Sequence, residues 1–269
     1  MYKFRFLTGY ASTSFYTQNN DMSDKEWFEK WFDSPYYHVL YANRSADEAK
    51  NFIAKLVGKY NIPPGSKVLD IACGKGRHSQ TLATHGLDVT GIDLSYNSIT
   101  YAKQFENDHL RFEVWDMRNV YKANTFDYVF NLFSSFGYFE DDAQDLIAIK
   151  AFAANLKPNG SLVLDYMNTE CVVKLLKPRD IVQRGDIQFH IQKKIEKGFI
   201  KKTIDFLANG VNQSFTEELK IINLYRFKQM LAVAGLELKA TYGDYDLSEF
   251  NPGASMRLIL VAEKKQTKE

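Results

Sequence analysis

A chain of 269 residues is long enough for one globular domain with a smaller inserted unit, since domains usually contain roughly 100–200 residues. Its hydrophobic fraction of 45% and charged fraction of 25% are typical of folded proteins and argue against a largely disordered chain. The net charge of +1 gives no general attraction to nucleic acid or to anionic membranes.

The two cysteines, Cys73 and Cys171, are too few for a disulfide framework, so a reducing cytoplasm is the expected location. No apolar run approaches the roughly 20 residues that a membrane-spanning helix needs, and no signal peptide is recognisable. Residues 1–21 show neither a helical nor a strand period. We expect them to form a disordered extension before a natural translation start at Met22.

Residues 22–62 are predicted to form an N-terminal helical cap. An apolar stripe at helical spacing is expected to pack on the body of the protein and consists of Trp27, Phe28, Trp31 and Phe32. After a Ser-Pro break, side chains with polar ends recur at spacings of three to four residues, and a position facing a ligand is an open alternative for them. They are Tyr37, His38, Tyr41 and Arg44.

Strands and helices alternate in the following hundred residues. The predicted strands are 67–71, 88–92, 111–115, 126–131 and 161–166, with helices around 79–84, from 95 and over 142–155. Such alternation predicts parallel strands joined by right-handed crossovers, hence an α/β fold with an open, doubly wound sheet. We expect this core to comprise 63–168 and 221–269. A helix with Ile221, Leu224, Phe227 and Leu231 on one face, then strands 236–242 and 256–263, complete it.

Residues 169–220 follow a different pattern, because apolar and polar side chains alternate with a period of two. Together with the hairpin signal Asn209–Gly210, this predicts an inserted antiparallel sheet of three or four strands at about 180–220. Lysines in the insert suggest an anionic partner, but we favour solvent-facing positions because acidic residues are interspersed and lysine commonly guards sheet edges. They are Lys193, Lys194, Lys197, Lys201 and Lys202.

The segment Val68–Ser79 is predicted to be a buried strand, a glycine turn and the start of a helix. Gly74 and Gly76 permit backbone conformations and close approaches that side chains would block, and such a turn places a helix N-terminus at the ligand crevice. A dinucleotide-binding fingerprint would need a glycine where Ser79 stands. Asp70, before the glycines, favours a ligand whose cation approaches the turn over a pyrophosphate.

Two further acids end the next two strands. Asp93 is placed to accept hydrogen bonds from the 2′ and 3′ hydroxyls of a ribose. Asp116 is placed to accept from an adenine amine, with the Met117 N–H beside it and Leu94 as a hydrophobic floor. Either acid alone could instead be a helix cap, but acids at three successive strand ends favour a ligand.

These stretches resemble the class I S-adenosylmethionine-dependent methyltransferases over roughly 67–166 and the last strands. Val68–Gly76 resembles the family's first motif, acid-x-G-x-G-x-G, with Ala72 in place of the first glycine. Three more stretches resemble the second motif, the adenine-binding position and the turn before the fifth strand: Ile92–Ser95, Asp116–Met117 and Leu156–Ser161. The resemblance implies seven strands in the order 3-2-1-4-5-7-6 with the last antiparallel, and an insert acting as part of a substrate lid.

The resemblance implies S-adenosylmethionine as the cofactor. Its expected binding residues are Tyr41, Arg44, Asp70, Ala72, Gly74, Gly76, Asp93, Leu94, Asp116, Met117 and Asn131. The segment Asn131–Phe139 lies where the family positions the transferred methyl, so Asn131 or Phe133 would contact the methionine portion, and an aromatic face can favour a sulfonium.

Methyl transfer is an in-line displacement, so alignment and exclusion of water can supply much of the acceleration. A base is needed only if the acceptor must first lose a proton. The candidates are His38, Tyr166, Tyr242 and Asp244. The other histidines lack metal-ligand spacing, so we expect no metal.

The sequence therefore predicts a cytoplasmic methyltransferase, a monomer or homodimer, acting on an O or N of a small-molecule acceptor. Nucleic acid is ranked lower, because the segment after the fourth strand lacks the Asn-Pro-Pro-Tyr type of motif that the resemblance would require for it, and no membrane partner is expected. Two alternatives stay open. One is a nicotinamide-dependent oxidoreductase, and the other is a regulatory protein that binds S-adenosylmethionine without turnover.

Overall fold

The computed structural model describes residues 26–42 and 46–266. The predicted extension over 1–21, the start at Met22 and the candidate ligand residue Arg44 all lie outside the described residues. Within the described part, no helix combines the length and the apolar character needed to cross a membrane.

The described chain contains two β-sheets and their flanking helices. The helices are α1 (Trp27–Phe32), α2 (Pro35–Leu40), α3 (Ala46–Tyr60), α4 (Arg77–Thr84), α5 (Tyr96–Ala102), α6 (Asp142–Asn155), α7 (Thr169–Lys174) and α8 (Leu224–Val233). The strands are β1 (Lys67–Ile71), β2 (Asp88–Asp93), β3 (Leu110–Val114), β4 (Phe126–Asn131), β5 (Leu156–Met167), β6 (Arg179–Arg184), β7 (Ile187–Glu196), β8 (Phe199–Ala208), β9 (Val211–Lys220), β10 (Leu236–Tyr242) and β11 (Arg257–Lys264).

Seven strands form the larger sheet, in the order β10-β11-β5-β4-β1-β2-β3. With β10 and β11 counted as the sixth and seventh core strands, this is the predicted order 3-2-1-4-5-7-6. Strand β11 pairs antiparallel with both of its neighbours, and the five strands from β5 to β3 in that order pair in parallel. The predicted α/β doubly wound fold is confirmed.

Helices cover both faces of this sheet, which is why its central strands are continuously apolar. On one face, α6 and α8 contribute the fully buried Phe152 and Phe227. On the other face, α3, α4 and α5 contribute side chains such as Phe52 and Leu82. Val68 and Leu69, adjacent residues of β1, are therefore both completely buried.

Some element boundaries differ from the prediction. Strand β5 begins at Leu156, because the expected turn before it already pairs with Phe126 of β4. Helix α8 begins at Leu224 and excludes Ile221, because the Asn223 side chain accepts the N–H of Arg226 and caps the helix. The short helix α7 was not predicted.

The insert forms a second sheet in the order β6-β7-β8-β9, all antiparallel. The hairpin at Asn209–Gly210 is confirmed, with φ of 52° and 75° at its two residues, as a two-residue turn of the type I′ class requires. The buried face of this second sheet packs on α1 and α2. There, Trp31 and Leu40 share an apolar cluster with Phe189 and Phe206. The N-terminal helices and the insert therefore share one apolar core.

Lys220, the last residue of β9, fastens this second sheet to the larger one. Its ammonium lies 2.5 Å from Asp145 and 2.8 Å from Asp142 of α6. Its N–H donates to the Gly137 carbonyl at 2.9 Å, and its carbonyl accepts from the Tyr166 hydroxyl at 2.6 Å. Because the ammonium is largely buried, these acids are needed to offset its desolvation.

We predict that Gly76→Ala destabilises the fold. A Cβ at this position would lie 2.5 Å from the Phe112 ring, and φ is +79°. Overpacking costs about 1–3 kcal/mol, and the left-handed backbone adds about 1 kcal/mol. Urea unfolding measures the loss.

Gly65→Ala is the matched control, because Gly65 has a φ of +80° and a Cβ added there would have no atom within 4 Å. It should lose only the backbone contribution of about 1 kcal/mol. Equal losses for the two variants would show that the contact between position 76 and Phe112 is not what constrains the turn.

Candidate active site

The turn after β1 has three residues in the left-handed backbone region. The φ angles are 58° at Ala72, 57° at Gly74 and 79° at Gly76. A Cβ on Gly74 would have no atom within 4 Å, so the turn backbone there borders open space. Gly76 instead packs on Phe112 and lines neither of the two cavities described below.

Asp93, at the end of β2, holds this turn in place. Its Oδ2 accepts the Gly74 N–H and its Oδ1 accepts the Ser95 N–H, both at 2.8 Å. Burial raises the pKa of Asp93, while these two N–H groups oppose the rise. The cap of α5 is Ser95, whose hydroxyl accepts the Ser98 N–H. Each Asp93 oxygen retains acceptor capacity, because a carboxylate offers about four lone-pair sites.

Asp116 forms an ion pair with Arg118. The guanidinium donates to both carboxylate oxygens at 2.6–3.1 Å, and it stacks 4.8 Å from the centroid of the Phe139 ring. Asp116 is therefore held beyond the end of β3 by a neighbouring cation rather than by a helix.

A small cavity of about 100 Å³ opens beside these acids. Six of the predicted cofactor residues line it together: Ala72, Gly74, Asp93, Leu94, Asp116 and Met117. Aromatic side chains complete its wall, including Phe139 from the loop after β4. The structure thus brings the three predicted strand and turn segments to one place.

A larger cavity of about 1160 Å³ adjoins the small one, and the two share seven lining residues, among them His38, Ala72, Gly74 and Ser135. The larger cavity lies between the carboxyl ends of the parallel strands, the helices α1 and α2, and the inserted sheet. The two cavities therefore form one continuous hollow. The small cavity beside Asp93 and Asp116 is its polar end, and the larger cavity is its wide end.

The inserted sheet contributes charge to the larger cavity. Glu217 accepts from the Trp31 indole and the Tyr41 hydroxyl, each at 2.6 Å, and lies 3.2 Å from the Lys202 ammonium. Lys193 also lines this cavity. The expectation that the lysines of the insert are solvent-facing is wrong for these two, because the strands carrying them cover the core.

Of the four candidate bases, His38 alone lines the cavities. Tyr166 is fully buried, its hydroxyl donates to a backbone carbonyl, and burial raises its pKa well above the usual value. Tyr242 shares a 2.7 Å hydrogen bond with the Tyr60 hydroxyl. Asp244 accepts the neighbouring Tyr245 N–H. These three side chains line neither cavity, which disfavours them as bases.

Asn131 is also displaced from its expected role. Its side chain is fully buried and donates to the carbonyls of Ile71 and Ser135, both at 3.1 Å, so it clamps the loop after β4 to the end of β1. Phe133 does line the larger cavity. Its φ of 66° and that of Ser134, 58°, are consecutive left-handed values, a type of strain that clusters at functional sites.

Asp70 lies beneath the turn, not on a cavity wall. It is 1% exposed, and its carboxylate accepts the Ser79 hydroxyl at 2.5 Å. Burial, opposed by that hydroxyl, raises the pKa of Asp70 to about 7. A cation in the neighbouring cavity would favour its ionised form through the low-dielectric interior.

Sequence reasoning missed Asp165 and Arg257. The Arg257 guanidinium donates to Asp165 Oδ1 at 2.6 and 2.9 Å, and Asp165 Oδ2 accepts the Phe133 N–H at 2.8 Å. No local motif marks either residue. The expected antiparallel seventh strand could have pointed to Arg257, because the first residues of such a strand lie at the edge where the parallel strands end.

Within the ranges 26–42 and 46–266, no group of three or more histidine, cysteine, aspartate or glutamate side chains is arranged to hold a metal ion.

Comparison with known proteins agrees with this architecture. Residues 68–160 match the family model of a methyltransferase domain. A dTDP-3-amino-3,4,6-trideoxy-alpha-D-glucopyranose N,N-dimethyltransferase from Streptomyces venezuelae is 32% identical over 131 residues, 48% of this chain and 54% of that protein. The match thus spans about half of that relative.

A glycine/sarcosine N-methyltransferase from Parasynechococcus marenigrum is 25% identical over 92% of this chain and 88% of its own length. The crystal structure of an S-adenosylmethionine-dependent methyltransferase from Clostridium acetobutylicum has the same fold. Its TM-score is 0.74 at 18% identity, covering 86% of this chain and 96% of that one.

The fold and the glycine turn define a class I methyltransferase architecture. Residues 68–160 are therefore similar to a methyltransferase domain, and the group that such a domain would hold is S-adenosylmethionine. The residues present fit that group, because Gly74 leaves open the space that a side chain would fill and the polar end of the hollow offers carboxylate acceptors.

We predict that Gly74→Ala weakens S-adenosylhomocysteine binding at least tenfold, because the added methyl enters the space beside the turn. Gly185→Ala is the matched control, since Gly185 has a similar φ of +53° and equal free space but lies in the insert. Calorimetry should show unchanged affinity for the control. Equal affinity of the two variants for S-adenosylhomocysteine would show that Gly74 does not border the bound ligand.

We also predict that cofactor binding shifts the protonation of Asp70. With a pKa of about 7, this carboxyl is half protonated at pH 7, and a bound sulfonium lowers the pKa, releasing up to about 0.5 proton. Calorimetry in buffers of different ionisation enthalpy counts the protons. We expect the wild-type protein to release more protons on binding than the Asp70→Asn variant. Equal proton release from the two proteins would contradict this prediction.

Proposed function

We propose that this enzyme transfers the methyl group of S-adenosylmethionine to a nitrogen atom of a small-molecule acceptor held in the larger cavity. The observation that carries the proposal is the continuity of the two cavities at Ala72, Gly74 and Ser135. In this arrangement the adenosine part would lie along the small cavity and extend across its junction with the large one, and the sulfonium would face the large cavity.

Specific roles follow for the small cavity. Asp93 accepts the ribose hydroxyls while still holding the Gly74 N–H, which is within the capacity of a carboxylate. Leu94 packs against the adenine, and Asp116 and Met117 face its amine edge. Tyr41 and Arg44 are proposed to act at the amino-acid end of the cofactor, where Tyr41 lines the larger cavity.

Aromatic side chains surround the junction of the two cavities. Tyr138 contacts both Trp27 and Phe32, with ring centroids 5.6 and 5.1 Å apart, and all three line the larger cavity. Bound S-adenosylmethionine supplies an electrophilic methyl on a sulfonium. Ring faces at the junction favour that cation and exclude water, so that the acceptor displaces the sulfur in line.

A nitrogen acceptor is favoured for two reasons. A neutral amine attacks through its own lone pair, and the product loses its proton to solvent, so no protein base is required. Three of the four candidate bases line neither cavity, and the names of both relatives described above specify N-methylation. Transfer to oxygen with His38 as the base is the second candidate, because His38 borders both cavities.

We further propose a cytoplasmic location and a monomer or homodimer that acts on free small molecules, without nucleic-acid or membrane partners. Support comes from Cys73 and Cys171, which are both buried free thiols, as expected in a reducing compartment. The near-neutral net charge supports a partner other than nucleic acid.

Asp93→Ala should weaken S-adenosylhomocysteine binding by at least fiftyfold, since hydrogen bonds to a charged group contribute about 1.5–3 kcal/mol each. Asp88→Ala is the matched control: Asp88 begins the same strand, and its carboxylate lies near the surface, 3.6 Å from the Arg111 guanidinium. Calorimetry should show that the control binds S-adenosylhomocysteine with unchanged affinity. Unaltered affinity of Asp93→Ala would mean that the ribose is held elsewhere, and preferential binding of a nicotinamide cofactor would favour an oxidoreductase.

The reaction itself is tested with radiolabelled methyl and paired amine and hydroxyl acceptors, such as glycine with glycolate and glucosamine with glucose. We expect label only in amines, with His38→Gln retaining transfer. Label in hydroxyl compounds that is lost in His38→Gln would support oxygen transfer. Tight cofactor binding without any labelled product would favour the non-catalytic alternative.

A further inference from the structure

Arg257 reaches the ligand-binding edge of the sheet because its strand, β11, is antiparallel to both of its neighbours. Strand β11 pairs antiparallel with β5, and Arg257 lies opposite Met167, the last residue of β5. The first residue of an antiparallel strand therefore stands where the parallel strands end. Arg257 lines the larger cavity, next to the loop that carries Phe133 and Ser134.

The guanidinium is held rigidly at this place. Nε and Nη2 donate to Asp165 Oδ1, and Nη2 also donates to the Ser134 hydroxyl at 3.1 Å. The aromatic rings of Phe133 and Tyr245 lie 5.8 and 5.4 Å from its central carbon. Asp165 is 1% exposed, so the pair is anchored from beneath. A guanidinium fixed in this way loses little freedom on binding a ligand.

The remaining nitrogen, Nη1, has no hydrogen-bond partner among the described residues. The Arg257 side chain keeps 16% of its surface exposed and borders the larger cavity. Arg257 therefore presents N–H donors to the larger cavity while Asp165 fixes its plane. Such a planar, preorganised donor suits carboxylate and phosphate oxygens.

The charge of the cavity wall agrees with an anionic ligand. Within the described residues, seven lysine and arginine side chains line the larger cavity against three acidic ones, although the whole chain carries only +1. The inserted sheet supplies Arg184, Lys193 and Lys202, of which Lys202 is paired with Glu217. Positive charge is thus concentrated at the one place where an acceptor would bind.

We propose that Arg257 binds an anionic group, a carboxylate or a phosphate, of the methyl acceptor. This assignment rests on the proposed function. It makes the substrate class an amine that carries an oxyanion. The cationic wall then has a second effect, because it disfavours the protonated form of the acceptor's amine and so leaves the nitrogen lone pair available without a protein base.

The test measures binding, so it does not depend on turnover. The enzyme saturated with S-adenosylhomocysteine is titrated with three pairs of compounds: glycine and glycinamide, phosphoethanolamine and ethanolamine, glucosamine 1-phosphate and glucosamine. We expect the anionic member of at least one pair to bind tenfold or more tightly than its counterpart, with a preference that weakens as salt is added.

The variant Arg257→Gln combined with Asp165→Asn should abolish this preference. The double change avoids leaving a buried unpaired carboxylate, and the amide oxygen that it introduces at position 165 can still accept the Phe133 N–H. Arg257→Lys, which keeps the charge without the planar fork, should retain part of the preference. Affinity for S-adenosylhomocysteine should be unchanged in both.

Three outcomes would overturn the assignment. In the first, both members of every pair bind alike, or none binds, to the wild-type enzyme. In the second, the preference survives in the double variant. In the third, the double variant loses affinity for S-adenosylhomocysteine, which would place the cofactor's own carboxylate on Arg257. Failure of methyl transfer with intact anion-dependent binding would instead count against the proposed function alone.

Discussion

The hydrogen bond from the Gly74 N–H to Asp93 Oδ2 is the contact on which the arrangement of the site depends. It joins the turn after the first strand to the end of its parallel neighbour, and it fixes a backbone in which three turn residues have positive φ. The same carboxylate borders the small cavity. One side chain therefore shapes the polar end of the hollow and supplies its acceptors.

The three acids at successive strand ends carry out three different tasks. Asp70 is buried under the turn with its pKa near 7, Asp93 accepts two backbone N–H groups, and Asp116 is paired with Arg118. These different surroundings explain why three aspartates at the ends of successive strands have different roles. Burial raises the pKa of Asp70, whereas the Arg118 guanidinium holds Asp116 at the wall of the small cavity.

The fold was largely predictable because alternating strand and helix patterns, together with the family-like turn, constrain the sheet order. That Ala72, Gly74, Asp93, Leu94, Asp116 and Met117 line one cavity was predictable for the same reason, since each lies within a local motif. Tyr166 and Tyr242 were not, because a tyrosine at a strand end can face a cavity or a buried partner, and the pattern does not distinguish them. Arg257 and Asp165 meet only after the chain folds, 92 residues apart in sequence.

The wide end of the hollow depends on contacts between distant segments, as α1 and α2 share an apolar core with the insert and Lys220 ties that insert to α6. We expect the turn and Asp93 to hold the adenosyl group so that its sulfonium faces this wide end. A crystal structure with S-adenosylhomocysteine tests it most directly. We expect that structure to place the ribose hydroxyls on Asp93, the adenine beside Leu94 and the sulfur next to Ser135. A ligand lying outside the small cavity, with Asp93 contacted only by backbone N–H groups, would contradict it.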